Sequence, residues 1–133
     1  MLLVEDNMAD AFLVREAIDQ EGLLVEIHAA SDGELAVLFI ERAEKDPEAP
    51  SPDAVILDLN LPKVDGFEVL RRIRASQRFC KLPVILLTSS ESLADRSEGV
   101  RLGARYFPKR ADYGEFLKIG GALRSLLEEN ALL

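Results

Sequence analysis

The stretch Ala54-Val55-Ile56-Leu57-Asp58-Leu59-Asn60-Leu61-Pro62 decides how the rest of the chain is read. It opens on four apolar residues without polar alternation, then passes through a carboxylate into turn chemistry. That is the pattern of a central strand covered on both faces. Val84-Ile85-Leu86-Leu87-Thr88-Ser89 repeats it, with a hydroxyl where the first has an acid. Weaker apolar runs lie at 1–4, 25–30 and 106–107.

Amphipathic stretches separate these runs. Ala11, Val14 and Ile18 share one helical face after Asn7 and Asp10, either of which suits the capping position. Leu35, Leu38 and Phe39 follow Ser31-Asp32-Gly33, and Phe67, Leu70 and Ile73 follow Gly66. The stretch 92–102 has only Leu93 and Val100 to mark an apolar stripe, whereas Phe116, Ile119, Leu123 and Leu127 mark a strong final helix. Strands alternating with helices predict an α/β fold: a single five-stranded parallel sheet, doubly wound as (βα)5. The three prolines of 45–52 belong to a surface loop, so residues 1–133 read as one domain with no second domain after the last helix.

Composition narrows the function. The 133 residues are 48% apolar and carry a formal net charge of −8. So acidic a domain is repelled by nucleic acid backbones and anionic lipid, and no apolar run reaches the ~20 residues of a membrane span. The basic cluster Arg71, Arg72, Arg74, Arg78 and Lys81 reads as a solvated helix face. The acid at Glu5 argues against a signal peptide, and Cys80 stands alone, which together point to a reducing cytoplasm.

In an open parallel sheet, ligands bind beyond the carboxyl ends of the strands. Run one ends in Glu5-Asp6, run three in Asp58, run four in Thr88-Ser89-Ser90 and run five in Lys109. Three carboxylates brought together repel unless one keeps a proton or a divalent cation joins them. Their hard oxygens, with the Asn60 main-chain carbonyl, suit Mg²⁺. A carboxylate beside that ion is a plausible nucleophile toward phosphorus, with Lys109 and the Thr88 hydroxyl on the other phosphoryl oxygens. Taken singly, Glu5-Asp6 reads equally as a helix cap, Asp58 as a turn residue and Lys109 as a surface lysine. Their joint order at four strand ends favours the site.

These residues resemble the receiver domains of two-component response regulators. Val4-Glu5-Asp6-Asn7, Leu57-Asp58-Leu59-Asn60-Leu61-Pro62, Asp65-Gly66, Leu87-Thr88-Ser89 and Pro108-Lys109 match in type, order and spacing. The resemblance spans essentially the whole chain. The stretch 58–63 is similar to stand-alone regulators that pair with phytochrome-type sensor histidine kinases. It implies a flavodoxin-like fold and a Mg²⁺-dependent phosphoacceptor, Asp58, fed from a kinase phosphohistidine. Glu5, Asp6, Asp58 and Asn60 would hold the metal; Thr88 and Tyr106 would move together as the switch, and Asn60 and Ser90 would tune the phosphate's lifetime. Such a domain signals through other proteins and does only self-catalysed phosphoryl chemistry. One departure stands out: the family places a cis proline after the lysine, and this chain has Arg110, leaving that peptide either cis or trans.

Alternatives differ by residue. A metal-dependent hydrolase using the same aspartyl phosphate would want an acid where Asn60 stands. The intact acid, threonine and lysine set argues against a receiver-like scaffold that never takes phosphate, while Arg110 keeps that reading open. Gly120-Gly121, beside the last apolar stripe, suggests either tight packing on the sheet or a homodimer through the fourth and fifth helices.

Overall fold

The computed structural model describes residues 1–132. In chain order it holds β1 (Leu2–Val4), α1 (Met8–Gln20), β2 (His28–Ala30), α2 (Gly33–Lys45), β3 (Val55–Asp58), α3 (Gly66–Ala75), β4 (Val84–Thr88), α4 (Leu93–Arg101) and β5 (Arg105–Pro108). Two further helices follow, α5 (Tyr113–Leu117) and α6 (Ile119–Glu129). Each helix that leaves a loop starts on a capping side chain. Asn7, Asp32, Asp65, Ser92 and Asp112 each accept a hydrogen bond from the backbone N–H three residues on. Asn7, not Asp10, therefore caps α1.

All strand pairs are parallel, in the order β2-β1-β3-β4-β5. This is the flavodoxin-like order that the family resemblance implied, in the doubly wound parallel sheet that the patterning predicted. Alternate residues of each strand feed two separate cores. Leu2, Val4, Val55, Leu57, Val84 and Leu86 meet α2 and α3 through Ile40, Val69, Leu70 and Ile73. Leu3, Ile56, Ile85 and Leu87 meet α1, α5 and α6 through Val14, Ile18, Phe116, Ile119 and Leu123.

Three features depart from the sequence reading. The final stripe does not form one helix: the chain turns at Lys118, whose N–H bonds Glu115 and Phe116, and restarts as α6. The turn precedes Gly120-Gly121, where helix propensity is lowest. On α4, Leu93 and Val100 are 80% and 64% exposed and mark no inward stripe. Gly99 is the residue α4 buries, because a Cβ there would lie 2.7 Å from Leu86 Cδ1; the helix sits on β4 at its glycine and turns its apolar side chains outward. Finally, the basic cluster is not simply solvated. The Arg74 guanidinium donates to the carbonyls of Leu102 at 2.6 Å and Leu82 at 2.7 Å, Arg72 pairs with Glu44, and Arg78 donates to the Ala43 carbonyl. Arg72 and Arg74 bind α3 to its neighbours, and Arg78 ties the segment after α3 to α2. No peptide among the described residues is cis, so the Lys109–Arg110 bond is trans.

The two adjacent glycines of α6 have opposite surroundings. A Cβ on Gly120 would fall 2.5 Å from the Ala17 carbonyl oxygen, whereas one on Gly121 meets nothing within 4 Å. Gly120 thus serves packing on α1, and the pair gives no evidence for a dimer contact. Gly120→Ala should cost about 1–3 kcal/mol through overpacking against rigid backbone. Gly121→Ala should gain up to ~1 kcal/mol from helix propensity. Urea unfolding of both variants checks the opposite signs.

Candidate functional site

The loops leaving β1 and β3 diverge, because α1 and α3 pack on opposite faces of the sheet. That divergence marks the point where strand order reverses, at which open α/β sheets bind their ligands. β3 delivers Asp58 there, and the start of α3 holds that residue's backbone closely. A Cβ on Gly66 would lie 2.4 Å from the Asp58 carbonyl oxygen, and the Gly66 N–H donates to Leu59 at 3.0 Å. Asp65-Gly66 therefore works as cap and close contact in one unit.

The acids arrive from two strand ends. Glu5 follows β1 with its side chain 0% exposed, Asp58 is 4% exposed, and Asp6 lies at the solvent edge. Carboxylate oxygens of Glu5, Asp6 and Asp58 all lie within 4.8 Å of one another. Asp58 Oδ1 accepts from the Asn60 N–H at 3.1 Å, and Glu5 Oε2 accepts from the Asn7 N–H at 3.2 Å. The exposed Asn60 follows directly on this turn.

Lys109 is placed by the end of β5, where its own N–H donates to the Thr88 carbonyl at 2.6 Å. Its ammonium lies 3.3 Å from Asp58 Oδ2, 2.9 Å from Glu5 Oε1 and 2.7 Å from Asp10 Oδ2. With Arg110 in place of proline, the lysine still reaches the acids. Asp10 is the site residue that the sequence reading assigned elsewhere, as a cap. Its position in the first turn of a helix that starts beside Glu5-Asp6 was the available signal.

The hydroxyl side of the site forms a second network. Thr88 is fully buried, and its Oγ1 accepts from the Ser90 N–H at 2.9 Å. The Tyr106 hydroxyl donates to the Ser90 carbonyl, with the Arg96 guanidinium 5.4 Å from its ring centroid. Ser90 Oγ donates to Asp95 Oδ2 at 2.7 Å, on α4.

Three oxygen-donor side chains this close, two of them buried, fit a hard divalent cation and repel one another without it. The Glu5 carboxyl shows the strain: burial first, and then the neighbouring Asp58, push its pKa up from 4.5 to about 7, against the pull of Lys109. On Lys109, burial lowers the ammonium's pKa, but Asp10, Glu5 and Asp58 together raise it above its ordinary value. The folded protein thus holds the Glu5 proton more tightly than the unfolded chain does. Between pH 4.5 and about 7, this group makes the metal-free protein less stable as pH rises. Glu5→Gln should flatten that slope, as read from urea unfolding at several pH values in a chelator.

Comparison with known proteins agrees with this geometry. Residues 1–119 match the response regulator receiver domain. The chain is 32% identical to response regulator Rcp1 of Synechocystis over its whole length, covering 91% of that protein. It is 36% identical to the transcriptional regulatory protein TrcR of Mycobacterium tuberculosis but spans only 47% of it. The phosphorylated cyanobacterial phytochrome response regulator RcpA superposes with a TM-score of 0.86 at 32% identity, covering 96% of this chain and 93% of RcpA. The Mn²⁺-bound form of Rcp1 gives 0.83 at 33% identity, covering 93% and 90%. With a family match over most of its length and a relative 32% identical across the whole chain, the chain belongs to the response regulator receiver domain family.

Proposed function

We propose that Asp58 accepts a phosphoryl group from the phosphohistidine of a sensor histidine kinase of the phytochrome-associated kind. The observation that carries this reading is the Asp58 carboxylate itself. It is buried, lies 3.3 Å from the Lys109 ammonium and sits within a 4.8 Å group of metal-competent acids. Asp58 Oδ2 forms the new bond to phosphorus as the bond from phosphorus to the donor's imidazole nitrogen breaks. The imidazole leaves with the electron pair and takes up a proton. Lys109 offsets charge on one phosphoryl oxygen, and Thr88 offers its hydroxyl to another once it leaves the Ser90 N–H. Mg²⁺ held by Glu5, Asp6, Asp58 and the Asn60 main-chain oxygen would neutralise charge on the transferring group.

The chemistry is self-catalysed transfer and the return hydrolysis of the acyl phosphate, in a signalling domain and not an enzyme acting on metabolites. Asn60 supplies no acid for a leaving group, which disfavours the hydrolase reading. No described helix is long and apolar enough to cross a membrane. The exposed free thiol of Cys80 suits a reducing cytoplasm. The acidic net charge of −8 opposes direct nucleic acid binding.

Output is through protein contacts, and self-association through α4 and the final helices is one such contact. Leu93 and Val100 supply its exposed apolar surface in place of the glycine pair. The face of α4 should respond to the site because Tyr106 and Asp95 both bond Ser90.

Intact-protein mass after incubation with acetyl phosphate tests the acceptor. One phosphoryl adduct is expected with Mg²⁺, none in chelator and none on Asp58→Asn; an adduct on that variant would move the acceptor elsewhere. Light scattering over a concentration series, with and without phosphodonor, tests self-association. A larger species with donor is expected, and Val100→Glu should abolish it. A monomer under every condition removes the dimer.

A further inference from the structure

We infer that Asp10 is a positioning residue acting through Lys109: it holds the ammonium toward α1 in the resting protein and so sets a restraint on the phosphorylated state. The inference rests on the phosphoacceptor reading of Asp58. An ammonium has three N–H donors, and three carboxylates surround this one, of which Asp10 is the nearest. Asp10 is also the one that lies outside the Glu5, Asp6 and Asp58 group. A cation binding that group would draw on Glu5 and Asp58 and leave the contact to Asp10 in place.

A first-turn acid can serve simply to complement the helix dipole. That role asks only for negative charge near the N-terminus. It does not ask for an oxygen 2.7 Å from an ammonium contributed by the far end of β5. Nor does α1 need Asp10 as a cap, since Asn7 Oδ1 already accepts from the Asp10 N–H at 3.0 Å. Asp10, Glu5 and Asp58 all favour the charged ammonium, against burial, and Asp10 does so through its hydrogen bond.

Phosphorylation changes what the ammonium faces. A phosphoryl group on Asp58 replaces the single carboxylate charge with about −1.5 to −2 and brings three acceptor oxygens into reach of Lys109. The ammonium must then turn a donor from a carboxylate to the phosphoryl group, or be shared between that group and Asp10. In the first case Asp10 competes for the cation; in the second its charge faces another anion across it. Both oppose the phosphorylated state, so removing the charge of Asp10 should favour it. A variant that only loosened α1 would do the reverse.

The test is the affinity of the full chain for beryllofluoride, a phosphoryl mimic, measured with Mg²⁺ by fluorine NMR and calorimetry. Asp10→Asn should bind roughly threefold to tenfold tighter than the wild type, as expected of one partly exposed charge. Asp10→Glu should return to wild-type affinity, and the phosphoryl adduct of Asp10→Asn should decay more slowly. In a Lys109→Met background, the gain from Asp10→Asn should shrink. Equal or weaker binding by Asp10→Asn overturns the inference while leaving Asp58 as acceptor. A full gain without Lys109 overturns the route through the lysine. If the wild type neither binds beryllofluoride nor takes an adduct, the acceptor reading falls and the inference falls with it.

Discussion

The structure depends on one electrostatic constraint: several carboxylates are held at a strand edge where they repel, and one ammonium answers them. Glu5, Asp6 and Asp58 crowd within 4.8 Å, and Lys109 touches Glu5, Asp58 and Asp10. Such a cluster leaves the domain short of positive charge at one point while the rest of the fold must supply the stability. The raised Glu5 carboxyl measures the imbalance, since a buried acid beside another acid keeps its proton unless a cation replaces it. Readiness to take a cation and resistance to ionisation are thus the same property seen from two sides.

What supports that strain is the pair of apolar cores on either face of the sheet. The residues just before the charged ones, Val4, Leu57 and Leu87, are fully buried. Each acid or hydroxyl therefore stands on a strand that cannot shift without opening a core. Gly66 adds a second restraint, because its helix turn presses on the Asp58 backbone where no Cβ fits. Arginines 72, 74 and 78 perform a parallel task away from the site, tying α3 and the segment after it to α2, to the turn before β4 and to the end of α4. Rigidity under the acids is what turns mutual repulsion into a stored preference for a ligand.

How much of this could be read from sequence follows from which forces act locally. The strands at 55–58 and 84–88 were legible because short unbroken apolar runs bounded by turn residues suit strands covered on both faces, and the residues ending them pointed to a candidate site. The start of α2 was legible at Ser31-Asp32-Gly33, where geometry chose Asp32 as the cap, and at α1 two residues competed and geometry chose Asn7. Freed from capping, Asp10 met a lysine ninety-nine positions away, a pairing that no local pattern encodes. The outward face of α4 was misread for a similar reason. Leu93 and Val100 looked like a core stripe, yet the inward contact belongs to Gly99, whose importance lies in what it lacks. Likewise Arg74 and Arg78 looked solvated because their partners are main-chain carbonyls, which carry no sequence signal.

Between the acids and the outward face of α4 stands Ser90, and under the proposed phosphoacceptor reading its bonds supply a route from a local charge event to that surface. Its N–H donates to Thr88 Oγ1, its carbonyl accepts from the Tyr106 hydroxyl, and its own hydroxyl donates to Asp95 in the first turn of α4. Ser92, which caps α4, also donates its N–H to Ser90 Oγ at 3.2 Å. If Thr88 turns its hydroxyl toward an anion on Asp58, the Ser90 N–H loses its acceptor, and an unpaired, half-buried donor costs about 1–3 kcal/mol unless the segment moves. The adjoining helix buries only a glycine among its own residues, so it offers little resistance to that movement. A tightly packed α4 would absorb the loss as strain; this one can transmit it as displacement. The same sparse packing that made α4 the hardest helix to recognise in the sequence makes it the element able to carry the signal.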